Sequence, residues 1–129
     1  KWIRSLKDKA NSNIYFHNEI MDVKRFINDN FINIFLVPSK WEEPFGLVAI
    51  EGMSLSCITI VSNKGGLIDI AKKTGAFIYS DENELNKIIS YLYSCNQSKL
   101  GEIAKNQFIC TKRIYSYKTF SKEIRKTIN

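Results

Sequence analysis

Short apolar runs alternate with helical patterns along the first two thirds of the chain. Asn13 to His17 (NIYFH) reads as a strand, and from Asp22 to Asp29 the residues Val23, Phe26 and Ile27 share one helical face. Ile34 to Val37 (IFLV) is a continuous apolar run closed by Pro38, the pattern of a strand buried on both faces. Leu47 to Leu55 is helical in pattern, and Cys57 to Val61 (CITIV) is a second fully apolar strand. A short helix follows from Leu67 to about Lys72, Gly75 breaks the chain, and Ala76 to Tyr79 (AFIY) is a last strand.

The pattern then becomes helical only. Asp81 can cap a helix, with Glu84 completing a capping box. Leu85, Ile88, Ile89 and Leu92 fall at i, i+3, i+4 and i+7, a core-facing stripe. Leu100, Ile103, Ala104 and Phe108 repeat it, and Tyr117, Phe120, Ile124 and Ile128 predict a final amphipathic helix. Strands alternating with helices imply parallel βαβ units, which need helices on both sheet faces. The expected fold is therefore α/β, a doubly wound parallel sheet ending in a helical tail. Ligands in such folds bind outside the carboxyl ends of the strands. Three segments lie there: Phe16-His17-Asn18, Pro38 to Gly46, and Ser62 to Gly66.

Composition narrows the chemistry. With 129 residues, 44% hydrophobic and 25% charged, the chain is one ordinary globular domain. No apolar run approaches the roughly 18 residues of a membrane span. The start, Lys1-Trp2-Ile3-Arg4, has no Met and no signal-peptide pattern, and reads as a cut or processing point. Cys57, Cys95 and Cys110 lack disulfide or zinc spacing, so they read as reduced thiols in a cytoplasmic protein. A single histidine, His17, leaves little room for a His-based metal site or a catalytic triad, and it reads as a satisfied loop residue. Trp2 reads as core, and Trp41 and Phe45 as loop-packing residues. The net charge of +6 favours an anionic partner. Nucleic acid is disfavoured, because no aromatic-plus-basic strand motif is present.

The informative segment runs from Pro38 to Met53. A buried strand ends, a loop carries Glu42 and Glu43, Gly46 opens a helix, and Glu51 sits a little over one turn inside it. A helix start offers unpaired N–H groups and the positive end of the dipole, which suit a diphosphate. Gly46 allows close backbone approach. Glu51, roughly 7 Å along the axis at ~1.5 Å per residue, is placed to accept hydrogen bonds from a ribose diol. Glu43, on the loop side of the helix start, can reach the hydroxyls of a sugar.

At these residues the sequence resembles the family 4 retaining glycosyltransferases of the GT-B fold. Their signature is a Pro-Ser pair, then Glu-x-Phe-Gly, then a second glutamate, here Pro38-Ser39, Glu43-Pro44-Phe45-Gly46 and Glu51 in a Glu-x7-Glu arrangement. Ser62 to Ile70 (SNKGGLIDI) is similar to the family's Gly-Gly loop followed by an acidic residue, Asp69. Thr74 to Tyr79 with Asp81, and the helix opened by Glu84-Leu85, are similar to its last strand and following helix, so the resemblance covers about residues 13 to 94. It implies that Glu43 is catalytic and contacts the donor sugar. It also implies that Ser39, Phe45, Gly46 and Leu47 serve donor binding, that Glu51 holds the ribose, and that Gly65 and Gly66 leave room near sugar and acceptor. The family is metal-independent, so no metal and no cofactor beyond the nucleotide diphosphate sugar substrate is expected. The sequence departs from the family in two local ways. The Arg and Lys that usually grip the diphosphate are not found, and Ser54-Leu55-Ser56-Cys57 replaces a glycine-containing turn.

The resulting expectation is a Rossmann-like half of a GT-B fold. Residues 1–129 would be a partial donor-binding domain, the acceptor domain being absent. The parent enzyme would move a hexose or related sugar in bacterial surface polysaccharide synthesis (O-antigen, capsule or lipopolysaccharide). Its acceptor sugar would sit on a lipid carrier at the inner membrane face, with peripheral membrane contact. A non-catalytic nucleotide-binding module is the alternative. By the resemblance, Asn13 to His17 and Ile34 to Val37 are not neighbouring strands, which leaves the second with an open apolar edge. Three outcomes stay open: direct pairing of the two, a homodimer by strand exchange, or a retained upstream fragment.

Overall fold

The computed structural model describes Asp8 and residues 10–116. The chain forms two compact units, Lys1–Asn30 and Phe31–Asn129. In the first, helix α1 spans Val23–Asp29 and is capped by Asp22, whose side chain accepts from the Arg25 N–H. His17 stands edge-on to Phe26, with ring centroids 4.7 Å apart. Asn13 to His17 is not a strand, contrary to the expectation from its residues. A strand exists only through hydrogen bonds to a neighbour. Here the Asn13 and Ile14 N–H groups turn back to Asn11, and Ile14, Tyr15 and Phe16 are exposed. Trp2 and the helix expected around Tyr117, Phe120, Ile124 and Ile128 lie outside the described residues.

The second unit is an α/β sandwich. Strands β1 (Ile34–Val37), β2 (Ile58–Ser62) and β3 (Phe77–Tyr79) form a parallel sheet in the order β1-β2-β3. Helices α2 (Leu47–Ser54) and α3 (Gly66–Thr74) are the crossovers, and α4 (Glu82–Ser94) and α5 (Gln97–Tyr115) follow β3. Side-chain alternation along β2 divides the core. Val61 packs with Ala49 and Met53 of α2 and Leu67, Ile70 and Ala71 of α3. Ile58 and Ile60 face the other way, against Leu92, Leu85 and Ile88 of α4 and Leu100, Ile103 and Ala104 of α5. Helices thus cover both faces, as in one Rossmann-like half of a GT-B fold. Among the described residues no helix is long and apolar enough to cross a membrane.

Three local features fix this arrangement. Gly52 lets α2 lie directly on β1, since a Cβ there would come within 2.6 Å of the Phe35 ring. Asp81 caps α4 by accepting from the Glu84 N–H, while the Glu84 side chain reaches one residue beyond the expected capping box and accepts from the Ser80 N–H. Gln107 is 1% exposed and completes the sheet, its Oε1 accepting from the Thr59 N–H at 2.8 Å and its Nε2 donating to the Gly75 carbonyl at 3.1 Å. Strand β3 begins opposite Ile60, one residue past Thr59, so the Gln107 carboxamide occupies the place of a missing peptide.

The expectation that Ile34 to Val37 is buried on both faces is corrected. It is the edge strand, pairing with β2 alone among the described residues, and Ile34 and Leu36 are 38% and 40% exposed. Phe35 and Val37 sit half-buried on the α2 side, whereas α4 and α5 lie over β2 and β3 and leave Leu36 uncovered. In the turn before β2, Ser56 takes a left-handed φ of 63°, a conformation glycine would adopt more easily.

Candidate functional site

The carboxyl ends of the strands carry two loops that hold each other through their backbones. The first, between β1 and α2, contains Ser39, Glu42, Glu43 and Gly46; the second, between β2 and α3, contains Lys64, Gly65 and Gly66. The Gly66 N–H donates to the Glu43 carbonyl at 2.6 Å. A Cβ on Gly65 would stand 2.5 Å from that carbonyl oxygen, and one on Gly66 would stand 2.8 Å from the Pro44 oxygen. Gly65 also takes φ 48° and ψ −131°, outside the usual range of L side chains. Both glycines are therefore required by the approach of one loop to the other.

That grip places Glu43. Its side chain is half-buried, and its Oε1 lies 3.0 Å from the Ser39 hydroxyl. The Trp41 carbonyl is 3.1 Å from the same hydroxyl, so the one Ser39 proton serves either acceptor. Lys64 and Glu42 tie the loops once more on the outside, as an exposed pair at 3.8 Å. Trp41 is 79% exposed, so it does not pack in the loop as its residue type suggested: the turn around Ser39 turns it outward. Phe45 is 56% exposed and meets Tyr115 of α5 edge-on, at 6.4 Å between ring centroids. The Tyr115 phenol is raised above its ordinary value by burial and, to a lesser degree, by Asp69.

The helices of the unit differ in how they begin. Asp81 and Asn96 cap α4 and α5 through their side chains. Gly46 and Gly65 stand at the N-caps of α2 and α3 with no side-chain cap. The Gly66 N–H of α3 is taken by Glu43, as described, which leaves α2 as the helix that opens towards the strand ends. Gly46 is buried in the left-handed region, and a Cβ there would press within 2.6 Å of Leu67 Cδ2. Leu47, Val48 and Glu51 form the exposed side of α2, and Ala49, Gly52 and Met53 its buried side. The structure thus brings Ser39, Glu43, Gly65 and Gly66 into one cluster at the strand ends. Phe45, Gly46 and Leu47 stand at the start of α2, with Glu51 exposed one turn further along.

Beside this cluster lies an open cleft of about 470 Å³, walled by residues 38–40 after β1, 62–64 at the end of β2, and 79–80 at the end of β3. Tyr79 is one of the wall residues, and burial raises its phenol above the ordinary value. Lys40 and Ser62 lie in two of the segments that the sequence places at the strand ends. A serine closing an apolar strand reads as the start of a turn, and its one signal is its position at a strand end.

A family model described as glycosyl transferases group 1 matches residues 1–108. No curated protein matches the chain.

Proposed function

This chain belongs to the glycosyl transferases group 1 family, and from that premise we propose that it is the donor-binding part of a retaining, family 4 type glycosyltransferase. The observation that carries the reading is the start of α2. It is a glycine-capped helix end without a side-chain cap, facing the strand ends, with a half-buried carboxylate before it and an exposed one a turn behind it. The diphosphate of a nucleotide diphosphate sugar lies against the backbone of Gly46 and Leu47, where the partial positive charge of the helix end favours it. The same charge stabilises the leaving diphosphate without a metal. Glu51 accepts hydrogen bonds from the ribose diol. Glu43 faces the sugar, its carboxylate held by Ser39 and its backbone by Gly66, while Phe45 borders the sugar beside it. The net charge of +6 suits an acceptor on an anionic membrane surface, as in surface polysaccharide synthesis at the cytoplasmic face.

Calorimetric titration of UDP, GDP and ADP tests the nucleotide part. One of the three binds, and Glu51→Ala weakens it about 10- to 100-fold, the worth of one to two hydrogen bonds to a charged group. Binding that survives Glu51→Ala intact would remove the assignment. In the full-length enzyme, Glu43→Gln lowers turnover strongly and leaves nucleoside diphosphate affinity nearly unchanged. If turnover is unaffected as well, Glu43 has no part in transfer. Nucleotide binding together with a full-length protein that transfers no sugar would favour a non-catalytic nucleotide-binding module.

A further inference from the structure

Glu43 stands in a loop whose backbone is constrained on both sides. Pro38 and Pro44 fix φ before and after it, and the Gly66 N–H holds the Glu43 carbonyl at 2.6 Å. The side chain still has its torsions to settle. It is half-buried and forms no ion pair with a described residue, so no charge pins the carboxylate in place.

One hydroxyl does so instead. Ser39 Oγ lies 3.0 Å from Glu43 Oε1. It also accepts from the Trp41 N–H at 3.3 Å and lies 3.1 Å from the Trp41 carbonyl. A serine has a single proton to donate. Of its two acceptors the carboxylate is the stronger, because a hydrogen bond to an ionised group is shorter and stronger than a neutral one. The Trp41 N–H closes a small turn onto the same oxygen, which fixes the direction in which the proton is offered. Ser39 follows Pro38 directly after β1, so the holding group is tied to the sheet. Its hydroxyl is thus engaged within the protein. Glu43 Oε2 has no hydrogen-bond partner among the described residues, so one carboxylate oxygen is held and the other is left open.

We propose that Ser39 is a positioning residue, which holds Oε1 of Glu43 so that Oε2 is presented to the donor sugar, and does not itself bind the donor. This role rests on Glu43 facing the sugar, as read above. The family resemblance implies a different one for Ser39, a contact with the donor. The two part in kinetics. Loss of a donor contact raises KM and weakens nucleoside diphosphate binding. Loss of a positioning contact leaves both in place and lowers turnover, because alignment with the reacting sugar is what suffers.

Two measurements test the role. In the full-length enzyme, Ser39→Ala lowers kcat about tenfold or more, as expected for a hydrogen bond to a charged group, and leaves donor KM and nucleoside diphosphate affinity nearly unchanged. Ser39→Thr keeps the hydroxyl and restores most of the turnover. In the chain itself, urea unfolding of Ser39→Ala, Glu43→Ala and the double variant detects the contact without any activity. The double variant loses less than the two single losses added, because its second substitution removes an interaction that is already gone. Both residues are half-buried in a loop, so the variants spare the core. Additive losses overturn the role. So does a threonine variant no better than alanine, or an Ser39→Ala enzyme that keeps kcat while its KM rises and its nucleotide binding weakens. If the losses couple but Glu43→Gln leaves turnover intact, the Ser39–Glu43 contact stands, the reading of Glu43 fails, and the positioning role in transfer falls with that reading.

Discussion

Replacing Gly65 by alanine tests whether the two loops at the strand ends hold each other. The new Cβ would lie 2.5 Å from the Glu43 oxygen and 2.7 Å from its nitrogen, both backbone atoms that cannot swing aside. The backbone at φ 48°, ψ −131° adds strain of about 1–3 kcal/mol for an L side chain. Parting the loops also removes the Gly66–Glu43 hydrogen bond, about 0.5–1.5 kcal/mol. Alanine recovers about 0.4–1 kcal/mol by restricting the unfolded chain. The net loss is about 0.5–4 kcal/mol, centred near 2 kcal/mol. Two other glycines calibrate it. Gly75 has φ 78° but nothing within 4 Å of its Cβ position, so Gly75→Ala carries strain alone and loses about 1 kcal/mol. Gly101, inside α5 with open space around it, gains about 0.5–1 kcal/mol as alanine. Urea unfolding followed by circular dichroism measures all three. If Gly65→Ala loses no more than Gly75→Ala, the loops do not grip each other, and the placement of Glu43 argued from that grip fails with it.

Gln107→Leu strands the Thr59 N–H and the Gly75 carbonyl and costs about 2–5 kcal/mol in the same urea assay; a loss under about 1 kcal/mol would mean the carboxamide is dispensable. Cys57 is fully buried, and burial raises its thiol above the ordinary 9.0, so Ellman's reagent reacts with Cys95 and Cys110 in the folded chain and with Cys57 only on unfolding. The raised value favours the neutral thiol in the fold. Its contribution is whole below the ordinary value and is lost as pH rises through the folded one, so stability falls above about pH 9 and Cys57→Ala flattens that fall. At the edge strand, multi-angle light scattering shows association rising with concentration, and Leu36→Lys reduces it; a monomer at every concentration would refute pairing through β1.

Much of this was legible in the residues. The apolar run of β2 and the spacing of α4 define themselves, because burial on two faces and a one-sided helical stripe each leave a period in the sequence. Glu43, Gly46 and Glu51 stood out because a glycine helix start flanked by carboxylates is a local pattern. What depends on a distant partner was not legible. IFLV reads as fully buried, yet its exposure is set by its place at the sheet edge among the described residues, where α4 and α5 do not reach. NIYFH has strand-forming residues and pairs with no strand among the described residues. Gly65 and Gly66 were visible as a loop, but their cause is the backbone of Glu43 and Pro44, about twenty residues away. Gln107 was invisible, since a glutamine in a helix reads as solvated surface unless the gap it fills is known.

That glutamine also governs the order in which the molecule can be made. The Thr59–Gln107 bond spans 48 residues, and α5 contributes to both core clusters, through Tyr115 on one face and Leu100, Ile103 and Ala104 on the other. During synthesis β1, β2 and β3 are all made before the side chain that bridges the β2–β3 junction exists. The sheet emerges with one rung missing and a face uncovered, and it closes only when α5 arrives. Until α5 is made, the Thr59 N–H and the Gly75 carbonyl lack the partner that Gln107 supplies, so the sheet cannot be complete before that helix is.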